Sequence, residues 1–302
     1  MLKPDKIFIF ARYLILIVSV NLMAAQKQTS QYENYHFVYE AKDSIYVKRL
    51  VSKIEKQLIT IEDFFDYKPK SIITIIITRS DAEYASYRGN AIPEWSQALA
   101  LTKEKIILLK IVSAEDIIRS PEILLHELVH IFFEDRVANQ RIPVWFHEGI
   151  AQYLSGYELT INDRIQLANA LTSNNIVSLT AMDTLFAFGQ VKARLAYIEA
   201  LTAIQFIIKN HGVDALKLMI QNLSNRISLN EAFEKSLGYD FIDFEIYWYE
   251  EIQSQNRWLI FLNLENILWI SIVLLAIFAI IIIKIRNYKL EKSWDGDINL
   301  ID

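Results

Sequence analysis

Seventeen consecutive residues near the end of the chain, from Ile267 to Ile283, carry no charged side chain. A helix of that length lies near the lower limit for crossing the hydrocarbon core of a membrane. A buried core helix is the alternative, but this run has no polar face, and only residues 284–302 remain to cover it. Because apolar residues also precede the run, we predict one transmembrane helix at residues 259–283.

The residues that flank this helix indicate its orientation. Trp258 and Trp269 suit one membrane interface, and the basic residues on the other side are Lys284, Arg286, Lys289 and Lys292. By the positive-inside rule, the tail at residues 284–302 is cytoplasmic. We therefore expect a single-pass protein of the cytoplasmic (inner) membrane, with the preceding domain on the periplasmic or extracellular side.

The first 25 residues have the pattern of a signal peptide. Lys3, Lys6 and Arg12 precede a short apolar core that ends at Met23, and Ala24-Ala25 supply the small residues of a cleavage site. An uncleaved anchor is the alternative, but the core is short for a membrane span. Removing this segment and the transmembrane helix leaves one exported domain, residues 26–256.

The overall composition excludes some classes of site. The chain has no cysteine, so it has neither disulfides nor a cysteine-ligated zinc site. Its formal net charge is −5, and no stripe of lysine and arginine suggests a nucleic-acid partner.

The exported domain changes character along its length. Two short segments, residues 72–78 and 105–112, are apolar and rich in β-branched residues, which predicts strands. Residues 35–39 also predict a strand, and residues 44–65 predict a helix. Thr160-Ile-Asn-Asp163 and Ser228-Leu-Asn-Glu231 resemble capping boxes at later helix starts. The fold class is therefore α+β, with a strand-rich N-terminal half and a helical C-terminal half.

The sequence His126-Glu127-Leu128-Val129-His130 is an H-E-x-x-H pattern. On a helix, its two imidazoles lie one turn apart on one face, where both can bind one metal ion. Glu127 can then reach a metal-bound water without being a ligand. Ser120-Pro121-Glu122 has the features of a helix start just upstream. The alternative interpretation is that both histidines are core residues whose hydrogen bonds are made within the protein. The pattern favours a zinc site.

A catalytic zinc usually has three protein ligands, so a third must lie nearby. Glu134 and Asp135 are on the same helix as the histidines. Because they come four and five residues after His130, their side chains point around the helix or lie beyond the metal. His147 and Glu148 fall on a second helix that follows Pro143 and can pack against the first. Spacing alone leaves these last two as competing ligands.

The segment HELVH followed by IPVWFHEGIAQYL resembles the gluzincin metallopeptidases, a clan that includes thermolysin and the zinc aminopeptidases. Within it, the chain is most similar to the peptidase MA-like domains, over roughly residues 35–252. The resemblance implies a zincin-like (thermolysin-type) fold. It also implies that Glu148, three residues after Trp145 and followed by Gly149, is the third ligand.

The resemblance further implies a zinc metallopeptidase with one Zn²⁺ per chain, held by His126, His130 and Glu148, that hydrolyses a peptide or protein substrate. Glu127 is then the general base that activates the zinc-bound water, and Tyr197 is nominated to stabilise the oxyanion.

Two further assignments accompany this interpretation. Gln152 either orients a ligand or lies on a solvated face, and Ser96–Leu101 either binds the substrate peptide as an edge strand or is an ordinary hairpin arm. The alternative function is a catalytically inactive, zinc-containing module that binds peptides or acts as a scaffold in the cell envelope. An intact Glu127 argues against it, because a binding module has no need of that carboxylate.

Overall fold

A computed structural model describes residues 27–88, 96–137, 142–256 and 264–298 of the chain. The signal peptide expected at residues 1–25 lies outside the described residues, as do Trp258 and the first residues of the expected transmembrane segment. The chain forms two compact units, one of residues 1–159 and 177–251 and the other of residues 160–176 and 252–302.

The first unit contains a five-stranded mixed sheet with the strand order β1-β2-β3-β5-β4. The inner strands β2, β3 and β5 run parallel, and each edge strand is antiparallel to its neighbour. The strands are β1 (Gln28–Tyr32), β2 (Tyr35–Tyr39), β3 (Ile73–Thr78), β4 (Ala98–Leu101) and β5 (Ile106–Lys110).

Nine α-helices occur among the described residues. They are α1 (Ser44–Phe65), α2 (Asp81–Arg88), α3 (Ala114–Val137), α4 (Val144–Ser155), α5 (Ile161–Thr172), α6 (Gln190–Ser224), α7 (Leu229–Leu237), α8 (Phe241–Asn256) and α9 (Leu264–Ile298). The part of the first unit after β5 is therefore helical, which confirms the strand-rich and helical halves expected from the sequence.

The hydrophobic core of the first unit explains why its inner strands are apolar. Ile73, Ile75 and Ile77 are fully buried in β3, as are Ile107 and Leu109 in β5. Strands covered on both faces need apolar side chains at nearly every position, which is the pattern that predicted them. Helix α3 packs against α1, β4, β5 and α4, so it is central to the unit.

Helix α3 begins seven residues before Pro121, the first helical residue that Ser120-Pro121-Glu122 indicated, so that prediction was wrong. The helix starts at Ala114, after a reciprocal capping box. The Asp116 amide donates to the Ser113 hydroxyl, and the Asp116 carboxylate accepts from the Ser113 amide at 2.8 Å. This S-x-x-D spacing is itself a helix-start signal in the sequence.

Proline lies inside α3 because a neighbouring side chain compensates for it. Pro121 cannot donate to the carbonyl of Ile117, four residues before it. The Ser120 hydroxyl donates to that carbonyl at 2.8 Å instead. Ser120 and Pro121, which resembled a helix start, therefore lie inside the helix. The Ser120 hydroxyl replaces the backbone donor that proline lacks.

Both later helix starts agree with their predicted caps. Thr160 and Asp163 form the complete capping box of α5. The Ser228 hydroxyl accepts from the amide of Glu231 at the start of α7.

Helix α9 contains a stretch long and apolar enough to cross a membrane. The stretch runs from Ile267 to Lys289 with a mean hydropathy of 2.9, and it is the only one among the described residues. Its side chains from Ile267 to Lys289 are exposed. The helix continues to Ile298, so most of the expected tail at 284–302 is helical.

Candidate functional site

Three side chains from two helices converge in the first unit. The imidazole rings of His126 and His130, one turn apart on α3, lie 4.7 Å apart between centroids. The Glu148 Oε2 atom, from α4, lies 3.2 Å from Nε2 of His126 and 3.6 Å from Nε2 of His130. One possible ligand atom from each residue lies within 4.8 Å of the others.

The chemistry of these three groups fits a metal ion. Two imidazole nitrogens and one carboxylate oxygen form a ligand set of the kind found at catalytic zinc sites, with one position left open. Among the residues that the structure describes, this is the one cluster of histidine and acidic side chains with such spacing. The structure therefore contains a His-His-Glu group that could bind a metal.

The surroundings of the three groups shift their pKa values in different directions. Burial lowers the pKa of His130 well below its ordinary value, and the neighbouring His147 adds to the decrease. Burial alone would raise the pKa of Glu148, but His130 and His126 outweigh it and lower the pKa to about 2. Burial likewise acts to lower the pKa of His126, yet its hydrogen bond with Glu148 prevails and the pKa is raised.

Glu127 lies beside this group without being part of it. Burial raises the pKa of its carboxyl to about 7, and the negative charge of Glu148 adds to the rise. The positive charge of His126 and a hydrogen bond from the backbone of Ala100, in edge strand β4, act in the opposite direction. A carboxyl group with a pKa near neutrality can both accept and release a proton.

His147, the competing ligand, points elsewhere. Its Nε2 lies 3.0 Å from Nδ1 of His130, the ring nitrogen that does not face Glu148. Burial lowers the pKa of His147 to about 4. The side chain therefore belongs to the surroundings of His130 rather than to the three-residue group.

The other two carboxylates considered as ligands are also outside the group. Asp135 forms an ion pair with Lys105 and accepts a hydrogen bond from the Tyr67 hydroxyl at 2.9 Å. It thereby ties the end of α3 to the start of β5. Glu134 is partly buried on α3.

Tyr197 lies within α6, seven residues after the helix begins at Gln190. Burial raises the pKa of its hydroxyl well above the usual value, and the charges of Glu148 and Glu127 raise it further. The hydroxyl is therefore protonated near both carboxylates and can act as a donor.

Gln152 does not lie on a solvated face. The side chain is buried, and its amide nitrogen donates to the backbone carbonyl of Tyr197 at 2.8 Å. Gln152 thus joins α4 to α6 at the turn that carries Tyr197.

The local sequence around Glu148 explains how α4 is held. Trp145 is fully buried, and its ring stacks on Phe241 and Phe244 at centroid distances of 6.0 and 5.7 Å. This aromatic packing anchors the first turn of α4 on α8. Glu148, one turn later, is held toward the two histidines of α3.

Gly149 allows α4 and α6 to cross closely. A Cβ atom at this position would meet the carbonyl oxygen of Ala200, and it would lie 2.6 Å from Cγ1 of Ile204 and 2.9 Å from the carbonyl carbon of Ala200. Much of this contact is backbone, which cannot move aside as a flexible side chain can. Glycine therefore follows Glu148 because the two helices touch at that point.

We expect Gly149→Ala to destabilise the domain by about 1–3 kcal/mol, as overpacking of a close contact does. Thermal unfolding of the full chain in detergent should show a lower midpoint. Gly189→Ala is the comparison variant. No atom lies within 4 Å of an added Cβ there, so it should lose only the preference for glycine over alanine at the N-cap of α6 and should lower the midpoint less. Equal midpoints for the two variants would show that α4 and α6 do not cross as closely as described.

Comparison with known proteins agrees with this geometry. The family model of the Peptidase MA superfamily matches residues 55–254, a range that includes α3, α4 and Tyr197. A search of curated proteins found no match. The family match confirms the resemblance seen in HELVH and WFHEG. Because the matched residues cover most of the chain, this protein belongs to the Peptidase MA superfamily.

Proposed function

We propose that this protein is a membrane-anchored, zinc-dependent metallopeptidase that hydrolyses peptide bonds outside the cytoplasmic membrane. The observation that carries the proposal is the convergence of His126, His130 and Glu148, with ligand atoms within 4.8 Å of one another. These residues are the proposed zinc ligands, in a thermolysin-type arrangement.

The zinc ion, when bound, would polarise the peptide carbonyl and make water nucleophilic at neutral pH. Glu127 is the proposed general base, which takes a proton from the attacking water and passes it to the leaving amine. Its raised pKa of about 7 suits both transfers. The Tyr197 hydroxyl, protonated near Glu127 and Glu148, is the proposed donor to the developing oxyanion.

Edge strand β4 is the proposed binding surface for the substrate backbone. The hydrogen bond from the Lys110 amide to the Gln97 carbonyl marks this pair as a bonded one in the antiparallel ladder. Bonded and non-bonded pairs alternate, so the peptide groups of Ala98 and Ala100 face away from β5. The Ser96 hydroxyl already donates a hydrogen bond to the carbonyl of Ala98. Ala100, by contrast, lies next to Glu127. The Ala100 amide donates to Glu127, so an extended peptide would pair with the Ala100 carbonyl and lie beside the base.

Metal dependence tests this function. The purified full chain in detergent should contain about one zinc ion, the usual content of such a site, and should cleave an unbiased peptide mixture analysed by mass spectrometry. Treatment with a chelator should abolish cleavage, and one equivalent of zinc should restore it. Zinc binding without any cleavage would favour the inactive binding module, and cleavage that persists without metal would contradict the proposal.

The proposed orientation rests on the apolar stretch Ile267–Lys289 and on the basic residues Lys284, Arg286 and Lys289. A reporter fused after Asp302 should behave as cytoplasmic. Protease added to intact spheroplasts should degrade the domain at residues 26–256. A domain fully protected from the protease, together with an accessible C-terminus, would show that the protein has the opposite orientation.

A further inference from the structure

His130 is held from two sides. Its Nε2 faces Glu148 Oε2 at 3.6 Å, and its Nδ1 lies 3.0 Å from Nε2 of His147. A neutral imidazole carries one proton on its two nitrogens, so it can be a ligand through Nε2 only when the proton is on Nδ1. The partner of Nδ1 therefore decides which nitrogen is free to bind a metal.

His147 is well placed to be that partner. Its ring lies 4.3 Å from the His130 ring and 4.7 Å from the ring of Phe133, a buried residue of α3. The two contacts fix the plane of the imidazole. With its own proton on Nδ1, His147 presents the Nε2 lone pair to the Nδ1 proton of His130.

We propose that His147 is a positioning residue, whose Nε2 accepts the Nδ1 proton of His130 and so holds His130 in the tautomer with Nε2 free for zinc. The inference rests on the proposed function and adds to it a partner for one ligand. Partners that hydrogen-bond to metal-binding histidines commonly raise metal affinity by about 10–100-fold.

Two substitutions of similar size separate hydrogen bonding from packing. His147→Gln retains an acceptor oxygen at about the reach of Nε2, whereas His147→Leu fills the space without an acceptor. Zinc affinity is measured on the full chain in detergent by competition with a chromophoric chelator. We expect His147→Leu to bind zinc about 10–100-fold more weakly than the unaltered chain, and His147→Gln to recover most of the loss.

A control and a second measurement make the outcome decisive. His211→Ala removes a histidine that bonds to Tyr239 rather than to the site, and it should leave zinc affinity unchanged. The thermal unfolding midpoints of the metal-free Gln and Leu variants should agree within a few degrees. A loss of zinc affinity in His147→Gln as large as that in His147→Leu would show that the acceptor atom does not matter, and it would overturn the inference.

The remaining outcomes distinguish this inference from the proposed function. If the unaltered chain binds zinc tightly and His147→Leu binds it equally well, only the role of His147 is wrong. If the unaltered chain binds no zinc, the proposed metal site fails and the inference fails with it.

Discussion

Replacing Glu127 with glutamine should lower peptide hydrolysis by about two orders of magnitude or more, the usual loss when a general base is removed. Zinc should stay near one equivalent per chain, because glutamine keeps the shape of the side chain and Glu127 lies outside the His126–His130–Glu148 group. The amide cannot take up the proton that the carboxylate, with a pKa of about 7, can accept. Metal analysis and peptide cleavage are measured on the same preparation.

Glu134→Gln is the matched control for this variant. Glu134 is a partly buried glutamate on the same helix, outside the three-residue group, so its replacement should leave both hydrolysis and zinc content near normal. Wild-type hydrolysis by zinc-loaded Glu127→Gln would rule out Glu127 as the base.

Glu148→Ala should remove the metal as well as the activity. The two histidines would lose their carboxylate neighbour, and a two-ligand site holds zinc poorly. We expect zinc affinity to fall by more than about 100-fold, which is the upper end of the loss seen when only a hydrogen-bond partner of a ligand is removed. Thermal stability in the presence of zinc should also fall, because bound metal stabilises the folded chain. Glu134→Ala, a carboxylate of the same type outside the group, should keep its zinc.

The two glutamates are thus expected to give opposite metal contents with the same loss of hydrolysis. Zinc retained by Glu148→Ala at wild-type affinity would mean that another side chain is the third ligand. A greater loss of zinc on substitution of His147 than of Glu148 would identify that side chain as His147.

Elements with strong local signals could be predicted from the sequence. Helix α1 has the bounds expected at residues 44–65, and β2 spans residues 35–39 as predicted. Each is set by its own apolar periodicity and by flanking polar residues. Strand β1, with the sequence QTSQY, was missed because an exposed edge strand needs few apolar side chains.

Features that depend on how helices cross could not be predicted. His147 and Glu148 are adjacent on α4. Only the packing of α4 against α3 turns Glu148 toward Nε2 of His130 and His147 toward Nδ1 of the same ring. The contact of Gly149 with Ala200 and the bond from Gln152 to Tyr197 also join segments far apart in sequence. Periodicity indicates that a face is buried, but it does not identify the partner of that face.

The ligand set of the metal is the central claim, and X-ray absorption at the zinc edge tests it most directly. On the full chain loaded with one equivalent of zinc, we expect two imidazole nitrogens at about 2.0–2.1 Å, with oxygen atoms as the remaining ligands. These signals correspond to His126, His130 and Glu148. A third imidazole in the spectrum, or a chain that binds no zinc at all, would contradict the account.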